Sequence, residues 1–211
     1  MTKSDPLDDW LSTQPAKIHR RSKRLMDVIR DAYPIGVPAF VMKSQTDRFG
    51  SSGGYSFHLG TPDDVLRRIC SWLLTNGEPD ILSKLIGDLW KRYGREDVAL
   101  AALLLANIPH EEGVWNRLAD VIENQFTAES LLLSIEECFR AKHTPPSEEL
   151  LLNWCSMGTA HAHLALLTHH ADWIRSGRPD LSSEIHTAFL KIQYPDGDSL
   201  LGRVRDQMLT S

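Results

Sequence analysis

The chain has 211 residues, 42% of them hydrophobic and 24% charged, and a formal net charge of −5. That length holds one sizeable core or one repeat array, in an ordinary globular composition. No apolar run approaches the ~18–20 residues of a membrane span, the N-terminal stretch lacks an apolar signal core, and the acidic balance opposes non-specific binding of nucleic acid.

The charge is unevenly spread. Residues 1–50 hold nine Lys/Arg and six Asp/Glu, leaving fourteen and twenty-two for the remainder. Any contact with DNA or RNA therefore needs a local basic patch. Cys70, Cys138 and Cys155 are odd in number and sit in apolar helical contexts, so they read as free, packed thiols of a cytoplasmic protein.

In chain order, residues 1–16 read as a tail, because Pro6 and Pro15 interrupt it, with Trp10 and Leu11 able to dock on the body. Residues 17–33 read as a helix whose apolar face is Ile18, Leu25, Val28, Ile29 and Ala32. His19, Arg20, Arg21, Lys23 and Arg24 form the densest basic run in the chain. Two readings stand for it: a solvated helix face, or a surface for phosphates or an acidic partner.

Residues 34–61 contain two prolines and five glycines, which break the helical pattern and leave room for a short β-hairpin from 39–43 and 55–59. Arg48 and Tyr55, with Lys43, Phe49, Phe57 and His58, suit base stacking and phosphate contact. The alternative is a loop packed on the first helices. The FGSSGG run is followed by no Lys-Ser/Thr pair and is not a phosphate loop.

From Thr61 onward the periodicity predicts helices to the end of the chain, at 61–77, 78–93, 95–107, 111–126, 127–141, 147–157, 159–175, 178–192 and 196–209, the last capped by Asp196 or Asp198. Val98 to Ala106 is apolar all round and must be covered on several sides. Grouped in pairs, the helices start near 62, 95, 128 and 159, a period of roughly 31–33 residues. The expected fold is all-α: a HEAT-like α-solenoid of helical hairpins spanning 17–211, with an irregular insert near 34–61.

Chemistry-bearing motifs are sparse. The chain has no GxSxG, HExxH, CxxC or GxxxxGK pattern. His161, His163, His169 and His170 share one expected helix, but His163 and His170 are seven residues, roughly 10 Å, apart, too far to share an ion unaided. No metal site or cofactor is expected. Trp115 lies beside the Val114–Leu118 stripe and reads either as packing or as a ligand-facing ring.

Residues 78–126, LWKRYGREDVALAALLLANIPHEEGVWNRLADVIENQ in their central and last parts, resemble the DNA alkylation-repair glycosylases built of HEAT-like repeats. The likeness lies in a helix ending near Leu89-Trp90, an acidic Ala/Leu-rich helix and a third helix opening with Trp. It implies a cationic concave surface for duplex DNA, with aromatic side chains and a carboxylate near an alkylated base. Trp115 matches the Trp that opens the family's third helix. Asn116 stands where the family tends to have Asp, and Ala119 where an acid is expected, with Asp120 one step on.

The expected function is a non-catalytic scaffold that holds a macromolecular partner, nucleic acid or a larger protein complex, through Arg20, Arg21, Lys23, Arg24, Arg48, Tyr55 and Trp115. The alternative is excision of alkylated bases, with Asp120 as the catalytic carboxylate.

Overall fold

The computed structural model describes residues 5–49, 54–122, 126–194 and 199–210, without the side chains of 46–49. The described residues form twelve α-helices and one 3-10 helix, and none is in a strand. The all-α expectation holds. The chain divides into two compact units, Met1–Glu111 and Glu112–Ser211.

The first unit contains α1 (Pro6–Ser12), a 3-10 helix (Ala16–Arg20), α2 (Ser22–Ala32), α3 (Ala39–Phe49), α4 (Asp63–Asn76), α5 (Pro79–Arg92) and α6 (Arg95–Asn107). Residues 6–12, expected as tail, are helical because Pro6 occupies the first turn, where its missing N–H costs nothing. Asp5 caps that turn by accepting from Leu7 N at 2.9 Å. Leu7 and Leu11 are buried, so α1 docks on the body through one face. Residues 39–49 are helical too, so 39–43 form no hairpin strand, and 55–59 are not in a strand either. Pro38 starts that helix by accepting from Val41 N (2.9 Å), and the stretch itself holds no Gly or Pro.

α6 is the core of this unit. Every residue from Glu96 to Ala106 is buried, between α4 on one side and α5 on another, and α2 packs in turn on α5. Tyr93 ends α5 in the left-handed region (φ 58) and turns the chain straight into α6. Gly94 between them is obligatory, because a Cβ there would overlap the Phe57 ring.

The second unit contains α7 (Val114–Val121), α8 (Ala128–Arg140), α9 (Glu148–Met157), α10 (Thr159–Arg175), α11 (Ser183–Leu190) and α12 (Leu200–Leu209). Its centre is α10, buried continuously from Ala162 to Thr168 and packed against α8, α9 and α12. Gly158 separates α9 from α10 without a linker. Arg175 closes the far end of α10 on α8, pairing with Glu136 at 2.6 Å and lying 4.5 Å over the Phe139 ring. Thr127, Ser147, Ser182 and Ser199 each cap the helix that follows. Asp196 and Asp198, the expected caps of the last helix, lie outside the described residues, and Ser199 does that work by accepting from Gly202 N at 3.1 Å.

Within each unit, contacts join helices next to one another (α1–α2, α5–α6, α9–α10, α11–α12) and two apart (α4–α6, α8–α10, α9–α11, α10–α12), and in the first unit α2 also packs on α5, three helices on.

Candidate functional site

The basic run spans the 3-10 helix and the start of α2. Arg20, Arg21, Lys23 and Arg24 are all exposed, as is Lys17. Among the described residues no ion pair joins any of these five to a carboxylate, whereas Arg30 further along α2 faces Asp27 and Asp31. The location opposes ordinary helix design. The positive end of the α2 dipole carries Lys23 and Arg24, no acid in its first turn and no side-chain cap. Beneath the run, His19 is buried with its ring 4.6 Å from Trp72 of α4, and burial holds its imidazole below the ordinary value.

Tyr55 and Arg48 were the other expected contacts in this unit. Tyr55 is buried, its ring 5.5 Å from that of Tyr93, and does not present a face for stacking. The Arg48 side chain lies outside the described residues, as do those of Asp47 and Phe49.

What the insert does instead is close on α6. Glu96, wholly buried, accepts the backbone N–H groups of Leu59 (2.9 Å), Gly60 (2.9 Å) and Thr61 (3.3 Å) on one oxygen. Ser56 N donates to Tyr93 O, and Arg95 N donates to Phe57 O, both at 2.9 Å. Beside it Asp97, also wholly buried, accepts from Tyr33 Oη at 3.0 Å, from Gly94 N at 3.2 Å and from both Nε and Nη2 on one edge of the Arg92 guanidinium. Burial pushes the Asp97 carboxyl above its usual range, against the pull of these donors. Burial, then the adjacent Asp97, pushes the Tyr33 phenol well above its ordinary 10.0. The arrangement is a clamp in which the carboxylates face protein donors. Sequence periodicity did not single out Glu96 or Asp97, since their partners are up to 64 residues away.

In the second unit Trp115 is buried, its indole N–H donates to Thr144 O at 2.7 Å, and its ring meets Phe139 at 5.4 Å. Of the two readings of Trp115, packing is where the side chain sits. Asp120 is exposed on α7, and five residues along a helix place it roughly 140° round from Trp115. Neither lines the cavities described next.

The α10 histidines have separate partners. His163 Nε2 meets Gln193 O at 2.7 Å, His169 packs on Phe189, and His170 Nε2 meets Gln207 Oε1 at 3.2 Å. Burial lowers the pKa values of His169 and His170. Among the described residues no three His, Cys, Asp or Glu side chains converge as metal ligands, and no helix is long and apolar enough to cross a membrane.

A cavity of about 580 Å³ opens between the starts of α8, α10 and α12, with Phe126, His163, Tyr194 and Leu201 among its walls. A smaller one of about 190 Å³ shares Thr159 and Gln193 with it and reaches Cys155 and Lys191. In the first unit a groove of about 370 Å³ runs between α1 and α4. Its Arg68 is neutralised by Asp5 and Asp8, each at 2.7 Å. All three cysteines are free thiols; burial pushes Cys138 up to about 12 and half-buried Cys155 up to about 11.

Compared with known proteins, the chain matches no family model, no curated protein and no solved structure.

Proposed function

We propose that the chain is a non-catalytic helical-repeat protein, HEAT-like in layout, that holds a nucleic acid through the exposed basic segment at residues 17–24. The observation carrying this reading is five exposed cations in eight residues, without ion-pair partners among the described residues and placed at the helix end where positive charge is least favourable. A merely solvating face gains nothing from that location, whereas a row of phosphates offsets its cost. The contacts between helices one and two apart in the second unit support the stacked-hairpin layout there. Base excision rests on the sequence resemblance alone, because Trp115 is committed to Thr144 and Phe139.

The test is binding to a labelled DNA duplex across a salt series, with and without an N7-methylated purine. Full neutralisation by five cations gives a log–log salt slope of about −4.5. The double variant Arg21→Glu, Lys23→Glu should weaken binding at least tenfold. Absence of binding at low salt removes nucleic acid from the account, and a strong preference for the methylated duplex shifts it to excision.

A further inference from the structure

The basic segment adjoins a groove whose chemistry differs from its own. His19, inside that segment, is buried with its ring 4.6 Å from the Trp72 ring of α4. Trp72 is half-buried and lines the groove of about 370 Å³ between α1 and α4. One residue thus joins the two features, since exposed Lys17 and Arg20 flank its neighbour His19 in the chain.

The groove presents one stripe of α4. Arg68, Ser71, Trp72, Thr75 and Asn76 recur there at spacings of three and four, and buried Leu11 lines it from α1. The two charges at its wall, Arg68 and Asp8, pair with each other at 2.7 Å, and Asp5 also pairs with Arg68. No cation is left in the groove for a phosphate. What the wall keeps open is neutral. The Trp72 indole N–H and the Ser71 hydroxyl have no hydrogen-bond partner among the described residues. Asn76 donates one amide hydrogen to Trp72 O at 2.8 Å, which leaves its side-chain carbonyl free to accept. The volume lies near the lower end of the about 300–1,000 Å³ usual for small-molecule sites. An indole wall with neutral donors and an acceptor beside it suits a flat heterocycle with polar edges.

We infer that the groove receives one unpaired base of a single-stranded nucleic acid, stacked on Trp72, while the adjoining phosphates lie on the basic segment 17–24. This inference rests on the nucleic-acid reading of that segment and narrows it. A duplex keeps both faces of each base in its own stack and offers none to Trp72, whereas a single strand offers a free face at every base.

The experiment uses the full-length protein and two labelled twelve-nucleotide probes, oligothymidylate and an abasic strand with the same phosphates and no bases. Oligothymidylate should bind about tenfold more tightly, the effect of one base–aromatic stack. Trp72→Ala should bring the two affinities together, and Arg21→Glu with Lys23→Glu should weaken both probes alike. Irradiated with the unmodified protein, oligothymidylate substituted with 5-iodouracil should form an adduct at Trp72, located by mass spectrometry of the digested protein. Equal affinity of the two probes for the unmodified protein overturns the base site and leaves the segment a phosphate surface alone. So does a preference that survives Trp72→Ala, or adducts confined to other residues. If no probe binds at low salt, the DNA duplex included, the reading of the segment and the base site fall together. The probe comparison and the adduct need no variant, so they decide the matter even where Trp72→Ala fails to fold.

Discussion

Glu96 collects three successive amide hydrogens from a segment that has no strand or helix of its own to pair them. Replacing it with Ala strands those donors, and Glu96→Ala should cost about 2–4 kcal/mol in urea denaturation. Gly94 poses the complementary problem of space. Gly94→Ala should cost about 1–3 kcal/mol by driving the new methyl against Phe57. The double variant with Phe57→Ala should be less destabilised than the two single losses summed, which a double-mutant cycle measures. Tyr33 adds a pH signature. Its phenol titrates well above 10.0 in the folded chain and near 10.0 in the unfolded one, so its contribution is complete below pH 10. It is lost as pH rises from 10 toward the folded value, because the unfolded state releases its proton first. Tyr33→Phe should cost about 1 kcal/mol at neutral pH and should flatten the loss of stability above pH 10.

At the scale of the element, α2 separates a structural role from a binding role. Arg21→Glu with Lys23→Glu places acids at the positive end of the helix dipole and should raise thermal stability slightly, by up to about 1 kcal/mol. The same change should weaken nucleic-acid binding. Stability and affinity moving in opposite directions is the expected outcome; a joint fall would mean the cations serve the fold. The helices were largely legible because apolar residues recur at helical spacing, and α6 was marked by its unbroken apolar run. α1 and α3 were not. In both, a proline was weighed as a breaker although it stands at a helix start, where it is favourable. The exposed basic run was legible from composition alone. The burial of Tyr55 was not, since it depends on a ring supplied by the distant Tyr93; packing of Trp115 was one of its two readings, but its partner Phe139 could not be named from the sequence.

Over the whole molecule, each unit surrounds one buried helix, α6 or α10, with partly polar ones, which is how 211 residues form two cores without disulfides. Both units also bury imidazoles. Burial lowers the pKa of His19, His169 and His170 in the folded chain, so the unfolded state binds more protons below about pH 6.5. These groups stabilise the fold above that pH, and the contribution is lost as pH falls. The urea midpoint should therefore drop between pH 7.5 and 5.5, and His169→Gln with His170→Gln should shrink the drop.

One buried and one half-buried thiol in the second unit bear on how the molecule meets oxidants and alkylating reagents. With its pKa at about 11, Cys155 is ionised at pH 7 in roughly one molecule in ten thousand, and Cys138 in fewer. The anion, not the neutral thiol, is what attacks peroxide, iodoacetamide or another chain's sulfur. Both sulfurs should therefore react slowly in the native protein, and a sudden gain in labelling of the fully buried Cys138 would report that the second unit has opened.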